Sequence, residues 1–177
     1  LPALNIVGEK EAGTIEQINV TPVRKWLFIL AKLIPYWVIA LIDFSICLLL
    51  SWLLYGITSV GSIALLFVFA IALAIVFSSI GLIISNYSDS LQQAMLVMWF
   101  ALVCMMLLSG LFTPVRSMPD WAQILTYANP VRHYMDAART IFIRGSAFSG
   151  VVLQFSILAA MGIILASLAV KSYKKNE

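Results

Sequence analysis

The side chain best suited to take part in chemistry is the carboxylate of Asp43, which lies in the middle of a long apolar run. An acidic group at the centre of a membrane-spanning helix costs about 2.5–3.5 kcal/mol on insertion scales. Such a group usually faces a bundle interior, a partner helix or a watery cavity. Asp43 therefore either carries a proton or contacts a substrate, or it makes a structural hydrogen bond between helices. The sequence favours the structural role and leaves the functional one open.

The other chemically active residues point away from catalysis. Segment 8–14 has the glycine spacing of a phosphate-binding loop, but Thr14 stands where that loop needs lysine, and no strand-like run precedes it. His133 has no second His or Cys at metal-ligand spacing, which favours a hydrogen-bonded interfacial histidine. Cys47 and Cys104 lie in separate apolar runs and are predicted to be buried, inert thiols. The sequence thus predicts no ATP site, no metal site and no catalytic residue in this chain.

Composition indicates that the chain lies in a membrane. Of the 177 residues, 62% are hydrophobic and only 11% are charged, whereas soluble domains are near half apolar and a quarter charged. A core of this size cannot hide so many apolar side chains, so the surrounding solvent must be lipid. The net charge is +3, and the basic residues are scattered beside apolar runs. This distribution is typical of membrane-flanking Lys and Arg and disfavours a nucleic-acid partner.

Four apolar runs are long enough to cross a bilayer, which takes about 20 helical residues. The runs are continuous and do not alternate, so they predict helices rather than a barrel. Small residues four positions apart, such as Gly162 and Ala166, predict close helix–helix contacts. We therefore predict an all-α polytopic membrane helix bundle. Its four transmembrane helices are expected at about 26–55, 59–84, 91–112 and 148–170.

Composition and turn signals divide the chain into four parts. The first seven residues, LPALNIV, are typical of the cut end of a longer helix, and we expect the chain to be part of a longer protein. The parts are a helix end with a polar segment (1–25), three transmembrane helices (26–112), a long connection (113–147), and the last transmembrane helix with a basic tail (148–177).

The polar segment before the first span carries signals for short helices. Thr14 and Gln17 form a capping-box pattern, and Thr21 followed by Pro22 is an N-cap with proline at the first helical position. A short helix that lies against the membrane and docks on a partner fits this pattern. A plain solvated connector fits it as well.

The long connection is predicted to contain two short helices. Asp120 begins the stretch DWAQILTYA, and Asn129 with Pro130 caps and starts a second helix. The second helix is expected to run to about Arg144, with Gly145 at its C′ position. Each stretch is too short or too polar to span, which favours two half-helices at the outer membrane interface.

The second of these short helices is predicted to be amphipathic. Its apolar residues repeat at helical spacing, and charged residues occupy the opposite side. Arg132, Asp136 and Arg139 are spaced i,i+4 and i,i+3, so both arginines are expected to pair with the aspartate.

Charge asymmetry predicts the orientation of the bundle. Four spans bring both chain ends to one side, which then carries seven basic residues: Lys10, Arg24, Lys25, Lys32, Lys171, Lys174 and Lys175. The opposite side carries four: Arg116, Arg132, Arg139 and Arg144. The positive-inside rule therefore places both ends, including the C-terminus, in the cytoplasm.

Two stretches resemble hallmark segments of ABC type-2 exporter permeases, most strongly of the drug-export-like branch. The first is EKEAGTIEQINVTPV (9–23), and its matching residues are Glu9, Lys10, Glu11, Gly13, Thr14, Glu16, Gln17, Thr21 and Pro22. The second covers 109–145, and its matching residues are Ser109, Gly110, Pro114, Met118, Pro119, Pro130, Arg139 and Gly145. Members of that family commonly have six spans, two of them before the first segment, so the resemblance implies a C-terminal portion.

The resemblance implies the permease subunit of an ATP-driven exporter in the plasma (bacterial inner) membrane, which moves hydrophobic or amphipathic compounds outward by alternating access. Two permease chains, identical or different, pair around a central path. Segment 9–22 is then the coupling helix that docks on a separate ATP-binding subunit, and ATP and Mg bind to that subunit and not to this chain. Residues 113–145 form the outer re-entrant helix pair that closes the external mouth.

Two other functions stay open on the residues alone. An ion-coupled four-helix secondary transporter would use Asp43 as its coupling carboxylate and would follow a proton or sodium gradient. An assembly or anchor protein would carry no flux, and neither Asp43 nor segment 9–22 would affect transport.

Overall fold

The computed structural model describes Val7, Gly8, Glu11 and residues 25–172, without the side chains of Lys25 and Phe28. Residues 25–172 form α-helices and single 3₁₀ turns and contain no strand, which confirms the predicted all-helical bundle. The α-helices of this part are α1 (Lys25–Tyr55), α2 (Ile63–Tyr87), α3 (Leu91–Leu107), α4 (Asp120–Tyr127), α5 (Pro130–Phe142) and α6 (Val152–Ser172). The 3₁₀ turns are Val115–Ser117 and Phe148–Gly150.

Three of these helices, α1, α2 and α6, are long and apolar enough to cross a membrane. Helix α3 is apolar but has only 17 residues, or about 25 Å of axis. The predicted third span, which continued to 112, is therefore too long. The helix ends because the Ser109 hydroxyl donates to the Met106 carbonyl oxygen at 2.6 Å, and Gly110 then reverses the chain with a φ of +79°.

The predicted second and fourth spans begin about four residues too early. Gly56 ends α1 with a φ of +63°, and its N–H bonds to the Trp52 carbonyl oxygen at 3.0 Å. Residues 57–62 then stay out of helix, and Val60 N–H donates to the Phe142 carbonyl oxygen of α5 at 3.1 Å instead of joining a helix. Before α6, residues 148–150 form a 3₁₀ turn where the sequence predicted the span itself.

The main core lies where α5 packs against the first half of α2 and the first half of α6. Its fully buried side chains are Leu66, Phe69, Val76, Ala137, Ile141, Val151 and Leu158. Helix α2 makes its most extensive contact with α6. A Cβ at Gly162 would lie 3.5 Å from Ile75 of α2, so this small residue allows the close approach that its spacing predicted.

A second buried cluster joins the start of α1 to the ends of α2 and α6, through Ile29, Leu33, Leu82 and Ala169. Nearby, the Asn86 side-chain amide donates to the Ala169 carbonyl oxygen at 3.1 Å. We call this region the tail end of the bundle. The opposite region, which holds α4, α5 and loops 56–62 and 108–119, is called the α5 end.

Candidate functional site

Helix α5 is tied to α3 by the side chain that caps it. Asn129 Oδ1 accepts a hydrogen bond from Val131 N–H at 3.0 Å, which confirms the predicted N-cap. The amide nitrogen of the same side chain donates to the Met105 carbonyl oxygen, near the end of α3, at 2.7 Å. Asn129 is buried, so it serves one of the last α3 carbonyls and fixes the start of α5 against that helix.

Arg139 is bonded differently from the prediction. Its Nη2 donates to the Gly110 carbonyl oxygen at 3.0 Å, so the predicted pairing of Arg139 with Asp136 is wrong. Asp136 instead has an ion-pair contact with Arg132, whose Nε lies 3.9 Å from Oδ2. The Arg132 guanidinium also lies over the Tyr127 ring, 4.1 Å from its centroid, and so links α5 to α4. Arg139 therefore bonds to the 108–119 loop, and the ion pair on the helix surface is made by Arg132 and Asp136.

The end of α5 interlocks with the loop between α1 and α2. A Cβ added to Gly61 would lie 2.5 Å from the Ile141 carbonyl oxygen, so only glycine fits that approach. Helix α5 ends at Phe142, about two residues before the predicted end at Arg144. Gly145 follows with a φ of +65°, and its N–H bonds to the Ile141 carbonyl oxygen at 3.2 Å, as expected of a glycine that closes a helix. Hydrogen bonds and close backbone contacts therefore join α5 to the loops that follow α1 and α3.

The prolines and Met118 of segment 113–145, which the resemblance implies closes the external mouth as an outer gate, lie before α4 and at the start of α5. Pro114 precedes the 3₁₀ turn, Pro119 precedes the first residue of α4, and Pro130 is the first residue of α5. Met118 lies between them, and its carbonyl oxygen accepts a hydrogen bond from Gln123 Nε2 at 2.8 Å. The fixed φ angles of these prolines and the Met118–Gln123 hydrogen bond restrict the conformation of the segment that leads into α4.

His133 and Cys47, whose residue types could carry chemistry, lie in ordinary structural positions. His133 is buried, and its Nε2 lies 2.9 Å from the Tyr127 carbonyl oxygen, as expected of a hydrogen-bonded histidine. Burial raises the pKa of the neighbouring Tyr134 phenol. In the part of the chain that the structure describes, no three His, Cys, Asp or Glu residues are grouped to hold a metal. Cys47 is exposed on the apolar surface of α1, so its predicted burial in the protein is wrong.

Asp43 lines an open groove of about 320 Å³ between α1, α2 and α3. Across the groove, Trp37 Nε1 donates to the Ser78 hydroxyl at 2.8 Å, which joins α1 to α2. The Asp43 side chain is exposed, and among the described residues it has no hydrogen-bond or ion-pair partner. The structural hydrogen bond that the sequence favoured is therefore not made within the described helices.

The predicted coupling residues Glu9, Gly13, Thr14, Glu16, Gln17, Thr21 and Pro22 lie outside the described residues. Glu11 is described, and its Oε1 accepts a hydrogen bond from Leu91 N–H, at the first residue of α3, at 2.7 Å. A carboxylate at this position also complements the positive end of the helix dipole. The same turn is capped by Ser90, whose hydroxyl accepts from Gln93 N–H at 3.2 Å. Glu11 thus contacts α3 at the end opposite to Asn129.

Comparison with known proteins identifies the family. Residues 2–143 match the model of the ABC-2 type transporter family. The chain belongs to the ABC-2 type transporter family. It is a multi-pass membrane protein, because its long apolar helices agree with the membrane setting of that family. The resemblance carried by segments 9–23 and 109–145 is confirmed.

Relatives in this family are named as permeases. The chain is 31% identical over 145 residues to the probable multidrug ABC transporter permease YbhR of Escherichia coli, covering 82% of the chain and 39% of that protein. It is 30% identical over 174 residues to the inner membrane transport permease YhhJ of Escherichia coli, covering 97% and 46% respectively. The chain thus spans less than half the length of these relatives. No solved structure matches it.

Proposed function

We propose that the chain is the membrane-embedded permease portion of an ATP-driven exporter of hydrophobic or amphipathic compounds. Family membership supports a permease role. The names of two relatives, a multidrug permease and the daunorubicin resistance permease DrrB1 of Streptomyces coeruleorubidus, support the substrate class. ATP would be hydrolysed by a separate subunit, and this chain would convert the motion of that subunit into opening and closing of a path.

The observation that carries the proposal is the set of contacts at the two ends of α3. At its first residue, Leu91 N–H is held by Glu11 of the polar segment. At its last turn, the Met105 carbonyl oxygen is held by Asn129, and beyond it the Gly110 carbonyl oxygen is held by Arg139. A helix of about 25 Å is rigid along its axis. A displacement of the polar segment would therefore reach α5 at the other end.

The proposed topology places the tail end of the bundle in the cytoplasm and the α5 end outside. Helices α1, α2, α3 and α6 would be the four spans, and the short α3 would be accommodated by local thinning of the bilayer or by the α4–α5 pair that covers its end. Helices α4 and α5 would form the re-entrant pair at the external mouth. The positive-inside rule supports this orientation in the plasma (bacterial inner) membrane.

The proposed assembly contains two permease chains and an ATP-binding subunit that supplies ATP and Mg. Segment 9–22 would be the coupling helix, and its alternating charges suit a polar, reversible interface. Glu11, at the start of that segment, would transmit movement of the docked ATP-binding subunit to α3 through its hydrogen bond with Leu91.

The test is purification of the full-length parent protein in mild detergent, with and without residues 13–20. We expect an ATP-binding chain to co-purify with the intact protein and to be lost or uncoupled from transport on deletion. Glu16→Lys should uncouple ATPase from transport without removing the membrane protein. Normal ATP-dependent transport after the deletion would contradict the proposal.

The ion-coupled alternative is favoured by the exposed carboxylate of Asp43 in its groove. It predicts transport that follows a proton or sodium gradient without any ATP-binding subunit. Transport into inverted vesicles should therefore be measured with ATP and with an ionophore present. Flux that persists under these conditions supports the exporter, whereas flux that is abolished by the ionophore and indifferent to ATP supports the alternative.

A further inference from the structure

We propose that the groove between α1, α2 and α3 is a binding site for lipophilic organic cations, with Asp43 as the group that recognises their charge. The transport consequence of this site rests on the proposed function, but the binding itself does not. Asp43 is the one charged residue that these three helices contain after Lys32.

None of the described residues that line the groove offers Asp43 a counter-charge. Helices α2 and α3 contain no charged residue, and α1 contains none after Lys32 apart from Asp43 itself. Lys32 lies about 16 Å from Asp43 along the helix axis, at 1.5 Å per residue. A carboxylate in the centre of a span is costly unless it is paired or hydrated. A cationic occupant of the groove would supply that pairing.

The groove has the size and surface of a small-molecule site. Its volume of about 320 Å³ is at the lower end of the range for such pockets, which are mostly apolar with few polar groups. Tyr36, Trp37 and Phe77 contribute aromatic surface, and ring faces attract organic cations. The Trp37 indole is held by its hydrogen bond to Ser78, so part of the binding surface is already ordered.

The chemistry favours a cation over a neutral or anionic ligand. Asp43 accepts but does not donate hydrogen bonds when ionised, and the Trp37 N–H is already engaged by Ser78. Among the described residues that line the groove there is one carboxylate, several aromatic rings and no cationic side chain, so the groove suits a cation better than an anion. Lipophilic cations concentrate in the lipid phase, so a groove between membrane-spanning helices would meet them at high local concentration.

The experiment measures binding of tetraphenylphosphonium to the full-length protein in nanodiscs by equilibrium dialysis. Tetraphenylborate, which has the same shape and the opposite charge, is the ligand control. Asp43→Asn should weaken tetraphenylphosphonium binding about tenfold or more, the size expected for one lost charge pair in a partly apolar site. Asp43→Glu should retain most of the affinity, and tetraphenylborate should bind no more weakly to Asp43→Asn than to the wild type.

Two further variants keep the inference falsifiable. Ser45→Ala, on the same helix, removes a hydroxyl that donates to the Leu41 carbonyl oxygen of its own helix, and it should bind the cation like the wild type. Ala40→Phe retains Asp43 but fills the groove, and it should lower cation affinity even if Asp43→Asn fails to fold. Undiminished tetraphenylphosphonium binding in a folded Asp43→Asn or Ala40→Phe protein would overturn the inference. So would a wild-type protein that binds tetraphenylborate and tetraphenylphosphonium with equal affinity.

Failure of the exporter proposal is distinguishable from failure of this inference. If Asp43-dependent cation binding is found but no ATP-dependent flux follows, the site stands and the exporter function does not. If ATP-dependent flux of neutral compounds is found and cation binding is indifferent to Asp43, the exporter function stands and the site does not.

Discussion

The guanidinium of Arg139, on α5, donates a hydrogen bond to the carbonyl oxygen of Gly110, with 3.0 Å between Nη2 and oxygen. Gly110 has a φ of +79°, a left-handed conformation that favours glycine. The two residues are 29 positions apart, and both belong to the 109–145 segment that resembles the family hallmark. Their contact therefore joins the start of that segment to α5, and the positive φ accounts for glycine at position 110.

Removal of the Arg139 donor should loosen the 108–119 loop. Arg139→Met keeps the apolar stem and loses the hydrogen bond, so we expect a loss of about 1 kcal/mol in stability and faster proteolysis of this loop. Arg139→Lys should recover part of the effect, because it keeps the charge. Arg144→Met, at an exposed arginine on the same connection, is the matched control and should behave as the wild type. Equal proteolysis of Arg139→Met and Arg144→Met would show that the contact has no such role.

Two substitutions at Asn129 separate its two hydrogen bonds. Asn129→Asp keeps the oxygen that caps α5 but loses the donor to the Met105 carbonyl oxygen, whereas Asn129→Ala loses both. We expect both to lower the melting temperature: alanine loses an N-cap that contributes about 1 kcal/mol, and aspartate, at this buried position, places a second acceptor against the Met105 carbonyl oxygen. Both should reduce transport to a similar extent, since both break the link to α3. Full transport by a stable Asn129→Asp protein would contradict the proposed role of α3.

Gly61 and Gly162 form a matched pair for backbone contact. In Gly61→Ala the new Cβ meets the Ile141 carbonyl oxygen at 2.5 Å, and we expect a loss of about 1–3 kcal/mol from the resulting strain. In Gly162→Ala the nearest atom lies at 3.5 Å, an ordinary contact, so stability should be unchanged or slightly higher. Thermal melting in detergent, followed by size-exclusion chromatography, measures both. Equal melting temperatures of the two variants would show that the close contact between Gly61 and Ile141 does not affect stability.

Glu11 should affect coupling more than folding. Glu11→Ala removes the acceptor for Leu91 N–H, and we expect ATPase activity of the assembled complex to persist while transport per ATP falls severalfold. Glu11→Gln keeps an oxygen acceptor and should retain more transport than alanine. Asp89→Asn, which neutralises a carboxylate close to the same helix start, controls for loss of charge alone. If the Glu11→Ala complex transports as much substrate per ATP as the wild type, movement is not transmitted from Glu11 through α3.

Much of the helical architecture could be predicted from local signals. Long apolar runs predict spanning helices because backbone polar groups must be satisfied inside lipid. Asn129-Pro130 and Gly145 predicted the ends of α5 because caps act over a few residues and need no distant partner. The family resemblance, too, depends only on the order and spacing of residues such as Gly110, Pro119 and Arg139.

The errors have a common physical origin in distant contacts. The predicted start of the second span fails because Val60 bonds to Phe142, 82 positions later, and stays out of helix. The ion pair predicted for Arg139 fails because a backbone carbonyl brought near by folding competes with the neighbouring Asp136. Cys47 was expected to be buried, but apolar residues in a membrane protein can equally face lipid.

The sequence by itself determined the class of protein, the number and rough extent of its helices, and Asp43 as the isolated intramembrane charge. These follow from composition and short-range pattern. Only the tertiary structure decided which faces meet, because packing depends on contacts between residues far apart in the chain. It placed Asp43 in a groove beside Trp37 and Ser78, and it joined α3 to Glu11 at one end and to Asn129 at the other.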